Sequence, residues 1–330
     1  MQAFKYFQPK DVQGAMDLMR AHEKAMFIAG GTNLLDLMKL HVAEPEVLID
    51  INALPLRTMQ MRNKRFFIGA LALNSDVAQN ETVQRNYPLL AEALLAGASP
   101  QLRNMATVGG NLLQKTRCVY FNDPTFACNK RNPGSGCSAL EGWTRQHAVL
   151  GTSPHCIATH PSDMAVALNA LDGEVVIQGP TQERRIPIRS FHLEPGDTPQ
   201  KETVLNRDEL ILGVELAEPL KGQTSRYVKV RDRSSYAFAL VSAATVLVMD
   251  GSTIRESRVA LGGVATRPWP ASSAEAILKG GRAEDAVFQK AADAAMQGAV
   301  PRKMNAFKID LAKRALRRAL QEASSGQRWG

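Results

Sequence analysis

Apolar positions divide the first half of the chain into short strands that alternate with helices. Apolar residues recur at helical spacing after Asp11, a candidate cap, while short continuous apolar runs are typical of buried strands. The predicted strands are 25–29, 47–51 and 66–71, and the predicted helices are 11–21, 34–41, 74–79 and 87–96. Residues 117–161 show no periodicity and predict an irregular segment.

The second half shows a different order of elements. A helix at 162–171, capped by Ser162, is followed by a long proline-rich loop at 180–199 and by a linker at 219–225. The predicted strands are 174–177, 210–216, 227–230, 243–249 and 258–264, and the predicted helices are 271–278, 283–296 and 305–323. Asp250-Gly251 indicates a hairpin between the last two strands. Strands followed by helices favour an α+β domain at the end of the chain.

Length and composition are those of a globular protein of about two domains, with 330 residues, 45% hydrophobic and 22% charged. No apolar run is long enough to span a bilayer, so no membrane association is predicted. Residues 1–10 lack the basic start and apolar core of a signal peptide. We therefore expect a cytoplasmic protein by its own sequence, with periplasmic export beside a signal-bearing partner left open.

The net charge of +8 is concentrated in two segments, residues 103–147 and 301–330. Such patches attract a cofactor phosphate, a partner surface or nucleic acid, although a basic helix face is often simply solvated. A nucleic-acid surface needs interleaved aromatic side chains, and 301–330 contains only Phe307 and Trp329. We predict no nucleic-acid partner, and keep a metal-containing nucleic-acid-binding protein as an alternative.

All four cysteines of the chain lie within 39 residues, and this clustering indicates a metal centre. In a reducing compartment a four-thiolate centre is a better explanation than two disulfides. Zinc is the alternative, with His147, His155 and His160 as further candidate ligands, but the short cysteine knuckles typical of zinc are missing. The candidate ligands are Cys118, Cys128, Cys137 and Cys156.

Two matched glycine pairs indicate a phosphate-binding site. Gly30-Gly31-Thr32-Asn33 lies between a predicted strand and a predicted helix, and Gly109-Gly110-Asn111 repeats the pattern about 80 residues later. Glycines permit close backbone approach, and helix starts offer free N–H groups to a phosphate. Neither motif is G-x-G-x-x-G, so a Rossmann fold is not indicated. The pair predicts a pyrophosphate held from two sides.

The stretches FIAGGTNLLDLMK and ATVGGNLLQ resemble the FAD-binding signatures of the flavin subunit of the xanthine dehydrogenase and molybdenum hydroxylase family. YVKVR and VALGGVATRPW resemble the C-terminal domain of that subunit. The resemblance implies an α+β protein with a two-part FAD-binding domain of the PCMH type at 1–220, and an α+β flavoprotein domain at 224–325. The cofactor it implies is FAD.

The cysteine segment is similar to that of the flavin subunit of bacterial aromatic aldehyde oxidoreductases, through RCVYFNDPTFACNKRNPGSGCSALEG and HCIATHPSDMAVAL. The 4-hydroxybenzoyl-CoA reductase flavin subunit also has a cluster insert but matches less well. The resemblance implies an insert at 114–161 in which the four cysteines bind a [4Fe-4S] cluster. Nearby basic residues are expected to offset the cluster's charge: Lys115, Arg117, Lys130 and Arg131.

The same resemblance assigns FAD contacts residue by residue. Asp163 could accept from a ribose hydroxyl or a flavin N–H, and Lys229 could stabilise negative charge on the reduced ring. The full set is Met26, Phe27, Ile28, Ala29, Gly30, Gly31, Thr32, Asn33, Leu34, Thr107, Gly110, Asn111, Asp163, Ile211 and Lys229. No catalytic residue is expected in this chain.

The activity implied is oxidation of an aldehyde to a carboxylic acid by a heterotrimer. A large molybdopterin-containing subunit would oxidise the aldehyde, a small [2Fe-2S] subunit would carry electrons to this chain, and its FAD would pass them to an external electron acceptor. The main alternative is a self-sufficient flavin oxidase of the vanillyl-alcohol oxidase type, with a substrate pocket in its C-terminal domain.

Overall fold

The computed structural model describes residues 1–326, so Trp329 of the basic tail lies outside the described residues. The chain starts with a small parallel sheet, in the order β1-β3-β2, flanked by two helices. These elements are β1 (Lys5–Phe7), α1 (Val12–Ala21), β2 (Ala25–Ile28), α2 (Leu34–Lys39) and β3 (Val47–Asp50). Asp11 caps α1 as predicted, since its carboxylate accepts from the Gly14 N–H at 2.7 Å.

The next region is a five-stranded antiparallel sheet, in the order β4-β5-β8-β6-β7, with helices packed against it. Its elements are β4 (Met59–Arg62), β5 (Arg65–Gly69), α3 (Asn74–Gln79), α4 (Glu81–Asn86), α5 (Pro88–Ala96), α6 (Pro100–Arg103), α7 (Val108–Leu112), α8 (Val119–Asn122), α9 (Asp163–Ala170), β6 (Glu174–Gln178), β7 (Glu183–Pro187), α10 (Ile188–Phe191) and β8 (Leu210–Ala217). All eight residues of α9 are buried. This helix is therefore central to the core.

The last region is a four-stranded antiparallel sheet, in the order β12-β11-β10-β9, combined with three helices. Its elements are β9 (Gln223–Val230), β10 (Val241–Asp250), β11 (Thr253–Gly262), β12 (Trp269–Pro270), α11 (Ser272–Leu278), α12 (Asp285–Ala295) and α13 (Phe307–Ser325). The predicted hairpin is present, and Gly251 has the positive φ of +57° that its turn requires. The apolar face of α13 packs on the sheet core.

Three segments that were predicted to lack helices and strands contain regular structure. The stretch 180–199 includes β7 and α10, and β9 begins at Gln223, inside the predicted linker. β7 is an edge strand, where a terminal proline such as Pro187 is tolerated because no ladder partner needs its N–H. The prolines of 180–199 therefore led to the wrong prediction of a loop where the edge strand β7 lies. In the segment 117–161, predicted to be irregular, the structure has one short helix, α8, and residues 123–161 contain no named helix or strand.

The middle and last regions share one core. Tyr227, Ala244 and Val246 pack into the same buried cluster as α5 and α9. Glu92 of α5 joins the two regions further, accepting from the Arg226 guanidinium at 2.8 Å and from the Tyr227 N–H at 2.9 Å. The division at 220–224 thus remains a prediction. Within residues 1–326, no helix is long and apolar enough to cross a membrane.

Shortening Leu316, a fully buried side chain of α13, tests the packing of the last region. We expect Leu316→Ala to lower the free energy of unfolding by about 2–5 kcal/mol, because it leaves a cavity in the core. Arg314→Ala, on the exposed face of the same helix, should change it by less than about 0.5 kcal/mol. Urea denaturation followed by circular dichroism measures both, and equal losses would contradict the packing.

Candidate functional site

A cavity of about 1,420 Å³ lies where the three regions meet. It is larger than the usual pocket for a drug-sized ligand. Both glycine motifs line it, together with the start of α9 and residues of β8. The predicted FAD contacts that line it are Met26, Phe27, Ile28, Ala29, Gly30, Gly31, Thr32, Asn33, Leu34, Thr107, Gly110, Asn111, Asp163 and Ile211.

The first glycine motif follows β2 and requires glycine for two separate reasons. A Cβ on Gly30 would lie 1.8 Å from the Met105 carbonyl oxygen, so the two backbones are in direct contact. Gly31 has a φ of +72°, in the left-handed region that favours glycine. Asn33 follows, with its Oδ1 accepting from the Lys115 N–H at 2.8 Å. Its buried Nδ2 has no hydrogen-bond partner in the part of the chain that the structure describes.

The second glycine motif forms the first turn of α7 rather than a free loop. Thr107 caps this helix by accepting from the Gly110 N–H. Asn111 then connects α7 to α9, since its Oδ1 accepts from the Ser162 hydroxyl at 2.6 Å, and Ser162 caps α9 as predicted. The second motif thereby fixes the start of the helix that carries Asp163.

Asp163 receives one donor on each carboxylate oxygen. The Tyr227 hydroxyl donates to Oδ1 at 2.6 Å and the Lys229 ammonium donates to Oδ2 at 2.7 Å. Lys229 is not among the residues that line the cavity, and its side chain is only 4% exposed, behind Asp163. The sequence reasoning missed Tyr227. The signal was available, because a residue two positions before Lys229 in a strand lies on the same face.

These features fit a flavin dinucleotide. The unpartnered Asn33 amide and the glycines can approach a phosphate, while the Asp163 carboxylate can accept from a hydroxyl or a ring N–H. Apolar walls from Leu34 and Ile211 suit an aromatic ring system. By its fold and its cavity, the protein is of a flavin-binding class.

The four predicted metal ligands surround a second, much smaller cavity. All are free thiols, and Cys128 and Cys137 face each other across an isolated antiparallel bridge. The cavity has a volume of about 10 Å³, which is about the size of one water molecule. No group of three or more His, Cys, Asp or Glu side chains within residues 1–326 is arranged to hold a metal ion. The ligand set remains a prediction.

Burial keeps the Cys118 and Cys156 thiols protonated when no metal is bound. It raises the pKa of Cys118 to about 12 and that of Cys156 to about 11, and neighbouring thiols add to the effect. A bound metal must displace those protons. The Cys118 sulfur also lies 3.1 Å from Nε2 of His147, the one candidate histidine in contact with it.

Most basic side chains of the cysteine segment already have partners. Lys115 and Lys130 both pair with Glu202, and these lysines outweigh burial in keeping the pKa of Glu202 below its usual value. Arg131 donates to the backbone carbonyls of Tyr120 and Phe121. Glu202 offsets one of the two lysine charges, and Arg131 keeps its charge because its partners are neutral carbonyls. These three basic residues also line the large cavity, so the predicted attraction of this segment for an anion stays a prediction.

Comparison with known proteins places the chain in a family. Residues 2–219 match the FAD binding domain in molybdopterin dehydrogenase, and residues 226–323 match the CO dehydrogenase flavoprotein C-terminal domain. The chain belongs to the FAD-binding subunits of the molybdenum hydroxylase family. Its homologues are aldehyde oxidoreductase and carbon monoxide dehydrogenase subunits, so it is part of an oxidoreductase.

Individual relatives cover nearly the whole chain. The aldehyde oxidoreductase FAD-binding subunit PaoB of Escherichia coli is 51% identical over 98% of this chain and 99% of its own length. The carbon monoxide dehydrogenase medium chain of Hydrogenophaga pseudoflava is 28% identical over 97% of this chain and 96% of its own. A carbon monoxide dehydrogenase structure from that organism matches with a TM-score of 0.79 at 28% identity, covering 98% of each chain. The predicted two-domain FAD-binding fold is thus confirmed. The iron–sulfur nature of the cysteine segment stays a prediction.

Gly110 and Gly14 form a matched pair that tests the cavity. Each is the third residue of a helix and donates its N–H to the capping side chain, and a Cβ would lie 3.1 Å and 3.3 Å from the respective cap oxygen. Only Gly110 lines the cavity. We expect Gly110→Val to weaken FAD binding about tenfold or more, because overpacking costs about 1–3 kcal/mol.

Gly14→Val introduces the same side chain at the third residue of another helix, away from the cavity. It should therefore keep the FAD content of the wild type. Flavin released from the denatured protein, measured by absorbance per chain, gives the occupancy. Full occupancy in Gly110→Val would show that the second glycine motif does not contact the cofactor.

Proposed function

We propose that this chain is the FAD- and [4Fe-4S]-containing electron-transfer subunit of a molybdenum-dependent aromatic aldehyde oxidoreductase. It receives electrons from a [2Fe-2S] subunit and passes them to an external acceptor, while a molybdopterin-containing subunit converts the aldehyde to the acid. The observation that carries this proposal is the 51% identity, along the full length, to an aldehyde oxidoreductase FAD-binding subunit. More distant relatives are medium chains of multi-subunit enzymes, which supports a heterotrimer.

In this proposal the two glycine motifs hold the FAD diphosphate. The Asn33 amide supplies a donor that is already oriented, because its oxygen is fixed by the Lys115 N–H. Asp163 accepts from the cofactor, and Ile211 contributes an apolar wall. FAD supplies the redox chemistry, and the protein supplies placement and electrostatics. Lys229 acts through Asp163, which it contacts directly.

For the cluster, support comes from the chemistry of the donor set. Four free thiols line one cavity, and the Ala158 N–H lies 3.5 Å from the Cys156 sulfur, a contact of the kind that tunes iron–sulfur centres. Because the cavity holds only about 10 Å³, the thiols must move apart to accept a cluster. The segment contains one short helix, α8, and isolated bridges such as the one between Cys128 and Cys137, so no strand ladder opposes that movement.

Replacing one cysteine tests the cluster. If all four bind a [4Fe-4S] cluster, anaerobically purified protein should contain about four iron atoms per chain. Cys128→Ser should lose most of that iron, because a serine hydroxyl is a harder and much less acidic ligand. FAD content should persist, since both glycine motifs lie outside residues 114–161.

Ser138→Ala, in the same segment, is the control and should keep its iron. Iron, sulfide and zinc are measured in one preparation. A wild-type protein replete in zinc and free of iron would overturn the cluster assignment.

The isolated chain tests whether aldehyde oxidation takes place on another subunit. It should bind FAD but reduce no dye with an aromatic aldehyde, because aldehyde oxidation belongs to the molybdenum subunit. Adding the molybdenum and [2Fe-2S] subunits should restore aldehyde-dependent dye reduction. Turnover by the purified, partner-free chain would instead favour the self-sufficient flavin oxidase.

A further inference from the structure

We propose that Tyr227 is a positioning residue of the flavin site. Its hydroxyl donates to Asp163 and, together with Lys229, fixes the orientation of the carboxylate at the cavity wall. This rests on the proposed role of Asp163 as a flavin contact. Tyr227 itself does not line the cavity, so its influence on the cofactor passes through Asp163.

The geometry leaves Asp163 little freedom. One donor on each oxygen, at 2.6 and 2.7 Å, prevents the carboxylate from rotating without losing a hydrogen bond. An ionised carboxylate offers about four acceptor positions, so about two remain for a ligand in the cavity. Lys229 is held in turn by the Ala96 carbonyl at 3.0 Å. The carboxylate is thus oriented before any ligand arrives.

Burial makes the tyrosine contact strong. Tyr227 is 8% exposed, and burial together with the Asp163 charge raises the pKa of its hydroxyl well above the usual value. The hydroxyl therefore remains a donor at every physiological pH. Hydrogen bonds to charged groups are stronger than neutral ones, and removing one partner leaves a buried charge less well satisfied.

Tyr87 provides a matched control. It is also buried, and its hydroxyl also makes one hydrogen bond to an acceptor of the protein, the Ala217 carbonyl at 2.9 Å. Tyr87 does not line the cavity and does not contact Asp163. Tyr87→Phe and Tyr227→Phe therefore each remove a tyrosine hydroxyl that donates to a protein acceptor, and only the second removes it from Asp163.

Full-length apoprotein is titrated with FAD, and the midpoint potential of the bound flavin is measured. Tyr227→Phe should raise the FAD dissociation constant about tenfold. The midpoint potential of the flavin should shift to more negative values. Without the tyrosine hydrogen bond, more of the negative charge of Asp163 acts on the flavin and disfavours the addition of electrons. Tyr87→Phe should leave both quantities at wild-type values. Wild-type affinity and potential in Tyr227→Phe would overturn the inference.

A double-mutant cycle separates this inference from the proposed function. Asp163→Ala alone should weaken FAD binding, and unchanged binding would refute the role of Asp163 itself. In the Asp163→Ala background, Tyr227→Phe should cause no further loss, because its effect passes through the carboxylate. An equal loss in both backgrounds would contradict positioning. If Tyr227→Phe does not fold, Lys229→Met replaces it in the cycle with the same expected outcomes.

Discussion

The start of helix α9 is the point on which the arrangement of the cavity depends. A fully buried helix carries a carboxylate at its first residue, and two segments distant in sequence, α7 and β9, bond to this one turn. Asn111 fixes the capping Ser162, while Tyr227 and Lys229 bind Asp163 from the last region. Removing one partner of a buried ion pair costs about 3–5 kcal/mol because it leaves the other charge buried and uncompensated, so the packing of the last sheet on α9 requires both Asp163 and Lys229.

This arrangement explains why the two glycine motifs differ in form although their sequences match. Gly30 must be glycine because the Met105 backbone passes against it. In the second motif Thr107 starts a helix, so Gly109 and Gly110 adopt helical geometry, and Asn111 is directed to Ser162. One motif contributes close backbone approach, and the other contributes the orientation of α9.

Local signals predicted much of the fold, and long-range contacts account for what they missed. The caps Asp11 and Ser162 and the Asp250-Gly251 turn are set by neighbouring residues, and each was predicted. The edge strand β7 forms by pairing with β6, and the prolines in and around it concealed this strand in the sequence. The sequence shows that Tyr227 and Lys229 share one face of a strand, but it does not show that this face packs against Asp163 of α9.

The cysteine segment shows how a region with only one short helix can still be well anchored. Its last part is held by the C-terminal region, where Lys308 donates to the His147 carbonyl at 3.0 Å and Asn305 donates to the Ala148 carbonyl at 3.1 Å. Two of its lysines pair with Glu202, and Arg131 donates to backbone carbonyls. A total of charges along the sequence could not reveal this, because the partners lie up to 87 residues away. The same anchoring places Cys118 on the walls of both cavities, so any group bound by the thiols would adjoin the flavin site. The cysteine segment thus forms one part of the wall of the flavin cavity, while both glycine motifs belong to other parts of the chain.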